Sequence, residues 1–422
     1  MSDHSPMITE PRLVVSKWLN DGFRGELAFG FSFRAVHEAG QPDYRLQVRG
    51  HTKNGRPALH ISCAEKDIAA MVHLDQPLTL GTVTVPKPWG EEIWYTGIET
   101  RGECTASGVP LSWLIAVCPD AIMGNDDPAP LLLKILAPQA QPVYGDLYFE
   151  LHTEKTEVYV VTGIDTAVWP DGEGLIRYGF NQPLLDSLGE TAFKAAYLAA
   201  VKQYQQVRNQ IDDELEHRRI AAGYGPDEVV PVAETEAWLA SLPSELRQLE
   251  LIRRADMEKY TATRTLTTGS VIQVQQRTPH SLQHGVRVVE FQSPHYERYI
   301  LSFAQKVLTQ NHWDTEEALQ LATLSPPDPA VPQLISETHA FRLDLIADFP
   351  EFGVERLTLA AGQRFTSTRP TYQVCIGVSG SSRVCGEPVA PEQGYLIPAF
   401  VGELSVENPG TGPATLLIAF PR

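Results

Sequence analysis

Gly145-Asp146-Leu147-Tyr148-Phe149-Glu150-Leu151-His152-Thr153-Glu154-Lys155-Thr156-Glu157, running on through Val158-Tyr159-Val160-Val161-Thr162 to Gly163, is the stretch that decides the fold. Glu150 and His152 are two residues apart, so on a strand they project to the same face. Glu157 is expected to fold back beside them from the next strand of a hairpin. A second stretch, Arg277-Thr278-Pro279-His280-Ser281-Leu282-Gln283-His284-Gly285, lies beyond a long insertion and offers His280 from a second hairpin. Glu150, His152, Glu157 and His280 together present two carboxylates and two imidazoles. That donor set suits one divalent metal ion per chain, with zinc the default and manganese or iron the alternatives. The competing reading is a hydrogen-bonded polar cluster on a β surface. His284, beside a turn glycine, reads as a surface histidine.

Outward from these stretches, residues from about 12 to 85 read as short alternating strands, such as Arg45-Leu46-Gln47-Val48-Arg49 and Ala58-Leu59-His60-Ile61-Ser62. The turn signal Lys53-Asn54-Gly55-Arg56 separates these two. The expectation is an antiparallel β unit over residues 1–85, with no chemistry of its own. Leu131-Leu132-Leu133-Lys134-Ile135-Leu136 follows as a buried-strand pattern with one embedded lysine. Composition shifts near residue 182, and the segment Ser187 through Ala222 is rich in Ala, Glu, Gln, Arg and Leu. Its propensity and period predict a helix, which Gly223-Tyr224-Gly225-Pro226 breaks. A helical insertion over 182–262 therefore interrupts the β region 86–181, which resumes over 263–325. Pro326-Pro327-Asp328-Pro329-Ala330-Val331-Pro332 reads as a linker. Residues 326–422 are again short strands and turns.

With 422 residues there is chain for roughly two to three domains. A net charge of -18 argues against a nucleic-acid or anionic-membrane surface. The five cysteines are odd in number and show no CxxC pairing, which suggests a reducing compartment. The start, Met1-Ser2-Asp3-His4-Ser5-Pro6, lacks a signal-like pattern, and no apolar run approaches the ~20 residues of a membrane span. A cytoplasmic protein is expected.

The motifs Pro88-Trp89-Gly90, Leu131 through Leu136, Lys155-Thr156-Glu157, Thr278-Pro279-His280 and Val289-Glu290-Phe291-Gln292 occur in the order found in type I mannose-6-phosphate isomerases of the cupin superfamily. Residues 85–422 resemble a divergent member of that family. The resemblance implies a mainly β fold with a helical insertion, built on two double-stranded β-helix (cupin or jelly-roll) barrels. The second barrel, in the C-terminal region, would be metal-free. It also implies that Glu150, His152, Glu157 and His280 are the metal ligands. The family normally carries Gln where Glu150 stands. The added negative charge would make a bound ion a weaker Lewis acid.

The chemistry implied is aldose–ketose interconversion of a hexose 6-phosphate through a metal-stabilised enediol. Such a reaction needs a group that shuttles a proton between adjacent carbons. Glu290 is the candidate base, since it lies ten residues from His280, an even spacing along an outgoing strand. Arg298, in Tyr296-Glu297-Arg298, stands near the family's catalytic arginine, with an ion pair to Glu297 as its competing role. Lys155 joins Glu290 and Arg298 in the catalytic set. Lys134, Lys87 and Trp89 are the substrate-binding candidates, the lysines for the phosphate and the tryptophan as pocket wall. The partner implied is a small phosphorylated sugar, bound by a monomer or homodimer. The alternative is a non-catalytic metal-binding cupin that binds a sugar or sugar phosphate.

Overall fold

A computed structural model describes residues 5–34, 43–87, 89–98, 103–124, 129–140, 147–225, 230–302, 312–329 and 331–422. Its architecture is mainly β, with helices concentrated between residues 182 and 258.

Near the N-terminus, a sheet in the order Met7–Ile8, Ala28–Phe33, Tyr44–Lys53, Arg56–Cys63, Ile68–His73 packs on a helix, Pro11–Asn20. The two-residue turn Asn54-Gly55 joins the middle strands, with φ of 53° and 75° and Lys53 opposite Arg56. Both turn residues are left-handed, as Asn-Gly hairpins require. The helix corrects the all-strand reading of this region. Val15 and Trp18 are three apart and buried, and Pro11 opens the helix, so one face can pack while Leu13 and Val14 stay exposed.

Beyond this sheet the chain does not respect a break at residue 85. Strand Leu78–Gly81 pairs with Gly394–Ile397, and Thr105–Ala106 and Val109–Pro110 extend the same sheet. From that side its order continues through Gln373–Ser379, Ala414–Pro421, Phe352–Leu359 and Phe341–Asp348 to Gln333–Glu337. A smaller sheet of Arg364–Thr368, Glu403–Glu407, Ser382–Val384 and Glu387–Val389 faces it across a core of Leu357, Cys375, Val406, Leu416 and Ile418.

Between these regions two sheets face each other. The first has the order Val271–Val274, Glu157–Ile164, Val286–Gln292, Leu132–Pro138, Gly90–Trp94, Val83–Lys87. The second has the order Thr261–Leu266, Gly174–Phe180, His280–Leu282, Phe149–Leu151, Tyr299–Ser302. Period-two alternation divides the first sheet. Leu133, Ile135, Val158, Val160, Val289 and Phe291 point outward into the core shared with the N- and C-terminal regions. Leu136, Tyr159, Val161 and Val288 point inward, against Ile176 and Leu282 of the second sheet. Phe149 and Leu151 turn the other way, to Phe180, Phe193 and Tyr197 and the helices.

The helices between residues 182 and 258 are Gln182–Leu188, Glu190–Ala221, Val232–Ala240 and Ser244–Glu258. Gly189 breaks the predicted start of the long helix at φ 75°, and Asn181 caps the first helix by accepting from the Leu184 amide at 3.2 Å. Phe193, Tyr197, Val201, Tyr204 and Ile211 form the long helix's buried stripe. No helix among the described residues is long and apolar enough to cross a membrane.

Candidate metal centre and active-site cleft

Cross-strand register assembles the centre. Glu150 and His280 are directly opposed in the second sheet, so their side chains share its inner face. His152 follows Glu150 just past the end of its strand. Glu157 opens strand Glu157–Ile164 in the facing sheet. This corrects the expected topology. Glu157 does not return on a hairpin beside Glu150; the chain crosses between sheets, and His280 is the residue that pairs beside it.

The donor atoms converge. One ligand atom each from Glu150, His152 and His280 lies within 4.8 Å of the others. His152 Nε2 is 3.8 Å from Glu150 Oε1 and 3.6 Å from Glu157 Oε1, and His280 Nε2 is 3.1 Å from Glu157 Oε2. Both imidazoles are turned by their other nitrogen. His152 Nδ1 is 2.7 Å from the Glu297 carbonyl oxygen and His280 Nδ1 is 3.0 Å from that of Thr278. A carbonyl only accepts, so each Nδ1 donates and each Nε2 is turned to the centre, the nitrogen that a metal would take. Burial, then Lys155, holds the His152 pKa well below the ordinary value, which keeps the ring neutral, as a ligand must be. Burial would raise the Glu157 carboxyl, but the Lys155 ammonium beside it outweighs this and holds it well below the usual range. Lys155 Nζ lies 2.5 Å from Glu157 Oε1, and the Tyr159 hydroxyl donates to Oε2 at 2.7 Å. Glu150 Oε2, His152 Nε2 and His280 Nε2 are buried with no hydrogen-bond partner among the described residues. Orphaned buried donors and acceptors are costly, and a divalent ion among them would satisfy all three. The residues present fit a metal.

Beside this cluster, Glu290 is fully buried on the inner face of the first sheet, opposite both Lys134 and Tyr159. Its inward direction comes from this pairing. The even spacing from His280 does not carry through, because a turn at Gln283–Gly285 intervenes and the two residues sit in different sheets. Lys134 Nζ is 3.3 Å from Glu290 Oε1 and 5.0 Å above the Trp94 ring. Burial raises the Glu290 carboxyl well above an ordinary carboxylate, with Lys134 opposing. Burial would lower the Lys134 ammonium, but Glu290 and Glu92 overcome it and raise it. Lys134 is thus a buried, charged residue of the cleft.

Lys87, Trp89, Lys134, Glu150, Glu157, His280, Glu290 and Arg298 all border one cleft. Its second lobe shares Lys87, Lys134, Glu150 and Arg298 and adds Lys155. His152 stands behind it, 1% exposed. The site residues singled out from the sequence are therefore brought to one place. Arg298 lies 4.7 Å from the Tyr148 ring centroid. Its neighbour Glu297 turns elsewhere, accepting from the Thr153 and Glu154 amides and, at 2.7 Å, from the Thr153 hydroxyl. Burial raises the Glu297 carboxyl, but these donors outweigh it and hold it below the usual range. His284 is half-buried and stacks on Trp169 at 5.4 Å, outside the ligand cluster. Gly145 falls outside the described residues.

Four residues of the cleft escape a linear reading. Glu92 joins Lys87 at 3.4 Å and accepts from Trp94 Nε1 at 3.2 Å. Tyr159 and Gln292 reach the inner face by the same alternation that places Glu157 and Glu290. That alternation was the available signal for those two. Tyr148 had none.

No protein-family model matches the chain, and no curated protein matches it by sequence. Solved structures do. Mannose 6-phosphate isomerase from Bacillus subtilis superposes with a TM-score of 0.55 at 15% identity, covering 81% of this chain and 99% of that one. The apo form of the enzyme from Salmonella typhimurium gives 0.52 at 12% identity, over 82% and 99% of the two chains. A zinc-bound mannose 6-phosphate isomerase gives 0.53 at 13%, over the same shares. At these identities the likeness is one of fold.

Proposed function

We propose that the chain is a metal-dependent isomerase that interconverts the aldose and ketose forms of a phosphorylated hexose. The observation that carries this reading is the convergence of Glu150, His152 and His280, with Glu157 beside both imidazoles and both Nε2 atoms aimed inward, on a fold shared with mannose 6-phosphate isomerases. In the finer architecture we propose, the two facing central sheets are a metal-holding cupin barrel and the C-terminal pair is its metal-free copy. The N-terminal sheet is an addition outside the family fold.

When bound, the ion supplies Lewis-acid polarisation of a sugar carbonyl and stabilises charge that develops on its oxygen. Glu150, His152, Glu157 and His280 would hold it. Zinc is the first choice, and the carboxylate pair also suits manganese or iron. Glu290 takes and returns the proton that moves between adjacent carbons. Its raised affinity for a proton, with Lys134 beside it to favour release, suits a group that must do both near neutral pH. Lys155 keeps Glu157 ionised and faces the second lobe. Lys87, Lys134, Lys155 and Arg298 stand against Glu92, Glu150, Glu157 and Glu290, so a divalent ion leaves this set positive, which favours a phosphate dianion. Trp89 forms part of the wall.

Five free thiols among the described residues accord with a reducing, cytoplasmic setting. The acidic net charge accords with a small-molecule partner, bound by a monomer or homodimer, in preference to nucleic acid. The test is conversion of mannose 6-phosphate to fructose 6-phosphate by metal-reconstituted protein. Turnover that disappears in chelator supports the reading. A chain that holds one metal ion yet binds phosphorylated sugars without turnover is the binding cupin instead.

A further inference from the structure

Five residues, 152–156, carry the chain from strand Phe149–Leu151 to strand Glu157–Ile164, from one central sheet to the other. The crossing has no helix or strand of its own. It is held from the loop that leads into strand Tyr299–Ser302. Leu151 pairs with Tyr299, so two steps beyond the ladder Thr153 meets Glu297. There the Glu297 carboxylate accepts from the Thr153 and Glu154 amides and from the Thr153 hydroxyl at 2.7 Å. Its main-chain carbonyl accepts from His152 Nδ1 at 2.7 Å. From the other side, the Arg277 amide donates to the His152 carbonyl at 2.5 Å and Gln276 Nε2 to that of Glu154 at 3.2 Å.

We infer that Glu297 is a positioning residue that clamps this short crossing at Thr153 and Glu154, and through them sets the aim of His152 and the place of Lys155. The inference rests on the reading of His152 as a metal ligand. The reason for a charged clamp is geometric. One carboxylate can take two amides and a hydroxyl at once, and charge-assisted bonds of this kind are about twice as strong as neutral ones. Arg298, the next residue, then projects into the cleft from an anchored backbone.

The test compares wild type with Glu297→Ala, Glu297→Gln and Glu154→Ala. Zinc affinity is read by competition with a chromophoric chelator, and ligand geometry by the visible spectrum of cobalt-loaded protein. Glu154→Ala removes an exposed side chain but keeps its amide, so it should bind as wild type does. Glu297→Ala should bind zinc about 10–100-fold more weakly, the range for groups that orient metal ligands, with an altered cobalt spectrum. Glu297→Gln keeps an acceptor oxygen without the charge and should lose less. Wild-type affinity in Glu297→Ala overturns the clamp, as does an equal loss in both Glu297 variants, which would make the effect one of charge alone. Should Glu297→Ala fail to fold, Glu297→Gln binding as wild type does is the overturning result. Failure of the wild type to take up either metal overturns the metal reading instead. The clamp is then read from amide exchange at Thr153 and Glu154 in metal-free protein, faster in Glu297→Gln if it holds and unchanged if it does not.

Discussion

Glu290 combines complete burial, no hydrogen bond to either carboxylate oxygen among the described residues, and a lysine 3.3 Å away. A carboxyl in that setting is kept for its proton chemistry or as a partner for Lys134, and substitution separates the two. Glu290→Gln preserves shape and should keep one metal ion per chain while turnover falls about 10²–10⁴-fold, the usual scale for a general base. Full activity in that variant would remove Glu290 from the mechanism. Glu150 poses the opposite question. Glu150→Gln removes one negative charge from the ion's surroundings, so kcat should rise about two- to tenfold, a barrier change of at most ~1.4 kcal/mol. A kcat that falls with full metal occupancy would show that the carboxylate serves the reaction. The ligands themselves were legible because a two-residue spacing on a strand has one physical meaning. Glu92 and Glu297 were not, since what makes them matter is a partner far along the chain.

Among the elements, the edge hairpin of Val83–Lys87 and Gly90–Trp94 carries Lys87 at one end of its turn and places Trp89 in the cleft wall. Gly90 has φ 147°, and a Cβ there would lie 2.2 Å from the Ala137 carbonyl oxygen. Gly90→Ala should therefore cost about 1–3 kcal/mol in urea unfolding and raise KM more than it lowers kcat. An unchanged unfolding midpoint would contradict the close approach. At this scale the sequence spoke through period and punctuation. The Asn54-Gly55 hairpin and the long helix were readable from them. Which strands pair was not. Glu157 opens a strand in the sheet facing Glu150, and no local pattern distinguishes that crossing from a hairpin. Helix Pro11–Asn20 was missed because only its first proline and two buried residues distinguish it from a short strand.

Over the whole molecule, one hydrophobic cluster runs from Trp18 and Leu46 through Leu133 and Val289 to Val374 and Leu417. Phe23 and Phe400 meet at 6.1 Å and the Tyr95 hydroxyl donates to the Glu392 carbonyl at 2.6 Å, so the N-terminal and central regions are both tied to the C-terminal one. The boundary at residue 85 followed the run of short alternating strands and the reach of the resemblance, and strand pairing across hundreds of residues leaves no mark on either. The cysteines offer a check on this packing. Burial pushes the Cys104 thiol up to about 11 and that of Cys118 up to about 12, and Cys375 is raised too, while Cys385 is only half-buried. At pH 8 an aromatic disulfide reagent should react first at Cys385 and reach all five thiols only after unfolding. Rapid native reaction at Cys104 or Cys118 would contradict the core as described. The central claim is tested most directly by assaying zinc-loaded protein for conversion of mannose 6-phosphate to fructose 6-phosphate, with His280→Ala measured in parallel. The account predicts turnover in the wild type that is lost in chelator and in His280→Ala. No turnover from wild-type protein shown to hold one metal ion per chain would contradict it.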